Sequence, residues 1–300
     1  MSIKPARLRS GDEIAVIAPA GPVSPSEIQP AVNMLVKEGF RVIEAPHLFS
    51  RQGYLAGSDD SRLEDFHSAF ANTDIKAVFC ARGGYGTLRL LDRIDYTLIT
   101  RNPKIIIGYS DITALLLAIH KRTDLITFHG PIIKELHRNR MNDMKAFLDL
   151  VSLQKNLEMD LSRATSLAGG RAEGILLGGN LSLISHVMGT PFMPPVKGAI
   201  LFIEEKGEPL YRIDRMLTHL RLCGVFDDIK GLMVGRFMDC GNIQDLDNLL
   251  MDIMAGRSIP ICSGLPVGHG MNNMTLPIGL SVDLDTRKMT LSASDTCVTS

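Results

Sequence analysis

The chain has 300 residues, 45% hydrophobic and 22% charged, with a formal net charge of -1; the length favours two domains, and the charge gives no reason to expect nucleic acid or an anionic membrane as partner. Its five cysteines, Cys80, Cys223, Cys240, Cys262 and Cys297, are scattered without a C-x-x-C pair, so neither a disulfide framework nor a zinc site is indicated and a reducing compartment is expected. No apolar run approaches the roughly 18 residues that span a bilayer, and the start MSIKPARLRSGDEIAV has no apolar h-region or cleavage site, which points to a cytoplasmic protein acting on a small molecule.

Residues 14–18 form the first expected strand. SPSE, residues 24–27, has capping-box spacing with Pro25 at the first helical position, and Ile28, Val32, Leu35 and Val36 then share a helical face until Gly39. A strand follows at 40–43, a helix at 62–71 carrying Leu63, Phe66 and Phe70, and a strand at 75–81. After the loop RGGYG comes a short helix from Thr87, then a strand of β-branched Ile105, Ile106 and Ile107, a long apolar helix starting near Asp111, and a closing strand at 125–128. Alternation of this kind is the pattern of a parallel sheet covered on both faces.

Beyond residue 142 the chain turns helical and then polar, and Gly169, Gly170, Gly174, Gly178 and Gly179 follow closely. The expected organisation is therefore α/β, with an N-terminal parallel-sheet domain over residues 1–155, a linker over 156–174, and a smaller α/β or α+β domain over 175–300. Within the last, strands are expected at 199–204, 231–237 and 278–283, with a hairpin through 285–288.

Two loops carry chemistry. GYSDI, residues 108–112, places Ser110 on an elbow between strand and helix, where a hydroxyl is displayed and free N–H groups at the helix start can meet a developing oxyanion. Ile112 stands where G-x-S-x-G would need its second glycine, so the elbow alone does not select an α/β-hydrolase, and Ser110 or Asp111 serving only as a helix cap remains open. ARGGYGT, residues 81–87, also joins a strand to a helix and lets the backbone approach a ligand, but it has neither G-x-G-x-x-G nor G-K-[ST] spacing. Adjacent strand ends of one parallel sheet would bring both loops to a common crevice; a tight turn with Arg82 solvated is the plainer alternative.

A serine nucleophile needs a base. His67, His120, His186 and His219 fall inside expected helices, His47 and His137 in polar loops, while His129 (FHGP) and His269 (PVGHGMNN) occupy glycine-bearing loops suited to display. Both of the last two are candidates. Glu204 ends an apolar strand just before a turn, a good place for a carboxylate that orients an imidazole.

RGGYG, GYSDIT, GGNLSLISHVMGTPF, IEEKGEPLYRIDRML and GLPVGH together resemble the serine LD-carboxypeptidases, a family that also contains the microcin C immunity-type peptidases. The resemblance begins at GDEIAVIAPAGPVSP and covers nearly the whole chain. It implies a catalytic triad of Ser110, Glu204 and His269 in an interdomain cleft, with no metal and no cofactor. It also implies a cytoplasmic homodimer that cleaves the amide between the L-centre of a diamino acid and the terminal D-alanine of a muropeptide tetrapeptide, in cell-wall recycling. The N–H groups of Asp111 and Gly84 would form the oxyanion hole. Arg82, Tyr85 and Arg212 are candidates for substrate binding, the arginines because a guanidinium is an efficient partner for a free carboxylate. The family more often has Glu-Asp where this chain has Glu204 and Glu205. Two other functions remain: an immunity-type hydrolase of aminoacyl or peptidyl adenylate analogues, whose members tend to stack an aromatic on adenine while this chain has no tryptophan, and a non-catalytic module binding a small anion.

Overall fold

Strands and helices alternate through the first half of the computed structural model, which describes residues 2–136, 141–153 and 155–300. In chain order they are β1 (Glu13–Ile17), α1 (Pro25–Lys37), β2 (Arg41–Glu44), α2 (Asp59–Ala71), β3 (Ile75–Cys80), α3 (Tyr96–Arg101), β4 (Ile105–Gly108), α4 (Ile112–Thr123), β5 (Thr127–His129) and α5 (Met141–Ser152). The five strands lie parallel in the order β2-β1-β3-β4-β5. α1 starts where its capping box places it: the Glu27 carboxylate accepts the Ser24 N–H at 2.9 Å, a feature worth about 1 kcal/mol.

The second half contributes β6 (Glu158–Asp160), β7 (Thr165–Ala168), β8 (Arg171–Asn180), α6 (Leu181–Val187), β9 (Ile200–Lys206), α7 (Leu210–Leu222), α8 (Val225–Asp228), β10 (Gly231–Met238), α9 (Ile243–Ile253), β11 (Ile261–Ser263), β12 (Leu276–Ile278), β13 (Ser281–Asp285) and β14 (Thr290–Ser292). An eight-stranded sheet runs β6-β14-β13-β8-β9-β10-β11-β7. Its centre, β8 to β11, is parallel, and the flanking strands are antiparallel. β13 and β14 form the expected hairpin, with the Asp285 side chain accepting the N–H groups of Arg287 and Lys288 at 3.0 and 2.9 Å.

Two expectations change. The segment 156–174, expected as a linker without strands, holds β6, β7 and the start of β8. β6 and β7 are edge strands with few buried residues, so no alternating apolar face marked them in the sequence. The single strand expected at 278–283 is two strands, broken at Gly279, whose φ of +95° is the left-handed conformation glycine tolerates and where a Cβ would collide with the His120 ring. β12 on one side of the break pairs antiparallel with β5 and completes the first sheet, while β13 pairs with β8 in the second. The halves are thus interlaced near the chain end.

Between them lies α4. Its residues 112–120 are all buried, because it packs on β4 and β5 from one half and on β8 and α6 from the other. A helix covered on all sides explains an apolar run with no polar face, and it fixes Ser110, at its N-terminal end, where the two halves meet.

Candidate active site

The strand-to-helix elbow is built by contacts that exclude side chains. A Cβ on Gly108 would lie 2.8 Å from Cγ2 of Ile112, so the isoleucine that breaks the G-x-S-x-G pattern packs over the glycine that opens it. Ser110 takes φ +64°, an unusual backbone for a residue with a side chain, costing on the order of 1–3 kcal/mol and held only by its surroundings. Part of that hold comes from Asp111, which is buried and accepts the Thr87 N–H at 2.9 Å while its own carbonyl accepts from the Thr87 hydroxyl at 2.7 Å. Burial raises the Asp111 pKa, the hydrogen bonds from Thr87 opposing it. Asp111 is the N-cap of α4 yet makes no side-chain cap, and the Ser110 hydroxyl has no hydrogen-bond partner among the described residues. Capping does not account for either side chain.

The glycine loop sits directly against this serine. A Cβ on Gly83 would come within 2.9 Å of Ser110 Cβ and 3.1 Å of its Oγ. Gly21, after β1, donates its N–H to the Gly83 carbonyl at 3.0 Å. Beneath both loops the buried Arg62 donates to the carbonyls of Pro19 and Gly86, at 2.5 and 2.9 Å. Three strand ends of the parallel sheet therefore meet at one crevice, as expected where strand order reverses.

From the other sheet come Glu204 and His269, 65 residues apart in sequence. Glu204, on β9, is fully buried, and its Oε2 accepts the His269 backbone N–H at 3.0 Å and lies 2.7 Å from Nδ1. The ring donates Nδ1–H to this carboxylate, which leaves Nε2 available to take a proton. Burial pushes the Glu204 pKa up, but the hydrogen bonds and charge of His269 outweigh it and hold the carboxyl below its ordinary value. Gly268 makes the approach possible, since any Cβ there would overlap Glu204 Oε2 at 2.2 Å. Asn273 secures the loop by accepting the Gly268 N–H at 2.8 Å and donating its own N–H to Asp143 at 2.9 Å. The Tyr109 ring meets the His269 ring edge-on, centroids 4.8 Å apart.

Glu205 points the other way, as strand alternation requires. Its carboxylate accepts from Asn180 Nδ2, the Ser182 N–H and hydroxyl, and the Lys206 N–H, at 2.9, 2.8, 2.7 and 2.8 Å. It is a fastening between β8, α6 and β9. His129, the other candidate base, is enclosed: it is 0% exposed, both ring nitrogens lack a partner among the described residues, and burial lowers its pKa to about 4. A ring sealed from solvent between Tyr109 and Phe202 cannot receive a substrate's proton. His137 lies outside the described residues.

Ser110 and His269 line one cleft of 540 Å³, together with Gly83, Gly84, Arg82 and Tyr109 from the first half and Lys206 from the second. Tyr85 lines an adjoining 510 Å³ depression with Tyr54, the rings edge-on at 5.6 Å, and Arg82 and Gly84 border both spaces. Arg212 is not at the cleft; it is exposed in the first turn of α7, paired with Glu208 at 3.2 Å. Helical spacing had no means of revealing which way that turn faces. Missed in the sequence were Lys134 and Lys206, both lining the cleft, and the supports Tyr109, Gly268 and Asn273. Among the described residues no group of three or more His, Cys, Asp or Glu side chains could hold a metal ion, and no helix is long and apolar enough to cross a membrane.

Residues 14–130 match the family profile described as LD-carboxypeptidase N-terminal domain, and residues 173–284 that of the LD-carboxypeptidase C-terminal domain. The chain is 38% identical over 301 residues to a probable murein peptide carboxypeptidase of Bacillus subtilis, covering 97% of this chain and 94% of that one. It is 32% identical over 289 residues to the murein tetrapeptide carboxypeptidase of Pseudomonas aeruginosa, covering 92% and 94%. Among solved structures, the microcin C7 self immunity protein MccF in complex with aspartyl sulfamoyl adenosine superposes with a TM-score of 0.92 at 26% identity, covering 99% of this chain and 100% of that one.

Proposed function

The chain belongs to the LD-carboxypeptidase family, and on that premise we propose that it is a serine peptidase with the triad Ser110, His269 and Glu204. Its proposed substrate is a muropeptide tetrapeptide, cut between the L-centre of the diamino acid and the terminal D-alanine. One observation carries the reading: His269, hydrogen-bonded to a buried carboxylate, lines the same cleft as a serine hydroxyl that has no hydrogen-bond partner among the described residues.

In this mechanism Nε2 of His269 takes the Ser110 proton as Oγ attacks the carbonyl carbon, and the N–H groups of Asp111 and Gly84 receive the oxyanion. The imidazolium, steadied by Glu204, then protonates the leaving amine, the C–N bond breaks and D-alanine departs. Water attacks the acyl-enzyme with His269 as base, and the proton returns to Ser110. The reading includes a cytoplasmic homodimer that needs no metal, so activity should survive exhaustive chelation and sedimentation should find a dimer.

A second reading is hydrolysis of aminoacyl adenylate analogues, favoured by the two exposed tyrosines, Tyr54 and Tyr85, beside the cleft, whose faces suit a nucleobase. Murein peptides are preferred because, in sequence, the murein-directed relatives match at higher identity than the microcin C7 self-immunity protein, which is 28% identical. Mass spectrometry of products from a free tetrapeptide, a disaccharide-tetrapeptide and an aminoacyl sulfamoyl adenylate, incubated in parallel, decides between them. Loss of one terminal D-alanine is expected; cleavage of the adenylate alone would favour the second reading. A fluorophosphonate probe should label Ser110, and a protein that resists it is an anion-binding module instead.

A further inference from the structure

Any carboxypeptidase must distinguish a chain end from an internal peptide bond. The leaving group is a single residue, so its free carboxylate lies within about one Cα–Cα step, roughly 3.8 Å, of the bond being cut. A cation that reads it must share the cleft with the nucleophile, and Arg82, Lys134 and Lys206 do so.

Their surroundings differ. Lys134 is already paired, its Nζ lying 2.5 Å from Oε1 of Glu27, and that contact is the main cause of a Glu27 pKa lowered to about 2. Arg82 is half-buried, its Nη1 donates to the Pro22 carbonyl at 3.0 Å, and its stem lies against Gly21, so it belongs to the structure of the glycine loop. Lys206 is exposed in the cleft wall and has no ion-pair partner among the described residues.

Position supports the same residue. Lys206 ends β9 two residues after Glu204, so the two side chains leave the same face of the strand, about 6.6 Å apart along it. The strand end that carries Lys206 is fixed through its N–H, which donates to Glu205 at 2.8 Å, and through pairing with Met238 on β10. The ammonium is thus free to move on an anchored backbone, on the same strand as the acid that orients His269.

We propose that Lys206 is the specificity-determining residue that receives the C-terminal carboxylate of the peptide, restricting cleavage to the last bond of a chain. The proposal rests on the serine carboxypeptidase reading above. It makes the substrate class peptides with a free terminal carboxylate and excludes terminal amides and internal bonds.

The test compares kcat/KM for a tetrapeptide ending in D-alanine with its terminal carboxamide, in wild type, Lys206→Met, Lys206→Arg and Arg82→Met, with fluorophosphonate labelling of each. A charge-assisted contact of this kind corresponds to roughly a 10- to 100-fold preference for the acid in wild type. Lys206→Met should lose that preference, chiefly through KM for the acid, while still labelling; Lys206→Arg should restore most of it. The proposal fails if Lys206→Met keeps the wild-type preference, or if Arg82→Met abolishes it and Lys206→Met does not. A wild type that labels but releases nothing from either peptide removes the carboxypeptidase reading, and this proposal with it.

Discussion

The two sheets prepare their sides of the cleft by different means. On the parallel N-terminal sheet backbone conformation does the positioning: Ser110 at φ +64°, Gly84 at +109°, and Gly83 so close to Ser110 that no side chain fits between them. On the mixed C-terminal sheet side-chain hydrogen bonds and burial do it, with Glu204 fully enclosed, bonded twice to His269, and the loop pinned by Asn273 and Asp143. The contrast follows from the tasks proposed for each side. A nucleophile must present an unbonded, accessible oxygen, so it has to be placed by its backbone. A carboxylate that orients an imidazole must be dry, because only away from water does its charge act strongly, and a dry charge needs a network of partners.

The largest expected effect strikes the backbone-positioned side. Ser110→Ala should lower D-alanine release by about 10⁴- to 10⁶-fold, while unfolding free energy stays within about 0.5 kcal/mol of wild type, since the hydroxyl has no partner among the described residues to lose. Denaturant melts beside activity assays check both; a variant that melts earlier but keeps its turnover would return Ser110 to a capping role.

Neighbouring glutamates sharpen the contrast within one strand. Glu204→Gln keeps the shape but permits the wrong imidazole tautomer, and about a 10⁴-fold loss in kcat is expected by analogy with chymotrypsin-type enzymes. Glu205→Gln should cost about 1–3 kcal/mol of stability through its four lost or weakened bonds and less than tenfold in activity. If Glu205→Gln is the inactive one, the acid has been assigned to the wrong face.

Gly83→Ala tests whether backbone proximity alone matters. Gly83 has no left-handed backbone to strain, so the added methyl acts by pressing on Ser110; a displacement on the order of 1 Å should cost about 10²-fold in kcat/KM. Activity within threefold of wild type would show that the elbow yields, contrary to its tight contacts.

His129 offers the smallest effect, on stability. Because burial lowers its pKa from 6.5 to about 4, the unfolded chain binds a proton between those values that the folded one refuses. Stability should therefore fall as pH drops from about 6.5 to about 4, by about 3 kcal/mol from this group, and this group should add no further loss below. His129→Leu should flatten the slope of unfolding free energy against pH by close to one proton over that window. An unchanged slope means that the ring is protonated in the fold.

Sequence patterns located the N-terminal elements well because each is a local signal: the capping box of α1 sits at Ser24 and Glu27, and three isoleucines mark β4. They were weaker where pairing is non-local. β6 and β7, with few buried positions, sat unseen inside the supposed linker, and the break at Gly279 separates strands belonging to different sheets. Among the candidate site residues, Ser110 and the glycine loop announced themselves through their own neighbours in sequence, whereas Arg212 was chosen by residue type and is paired with Glu208 instead of lining the cleft.

By itself, then, the sequence determined the α/β alternation and the strand-loop-helix segments holding Ser110 and Gly83, since hydrophobic period, capping and glycine placement act over a few residues. Its motif series also gave the family resemblance. The resemblance named His269, but residue patterns left it level with His129, since both occupy similar glycine-bearing loops; tertiary structure shows that β12 and Phe202 help close over one while Gly268 lets Glu204 reach the other. It also decided which cleft cation lacks an ion-pair or hydrogen-bond partner for its side chain among the described residues, because Lys134 meets Glu27 and Arg82 meets Pro22 only when the loops are assembled. Accessibility and pairing are properties of what surrounds a side chain, and those surroundings come from residues far away along the chain.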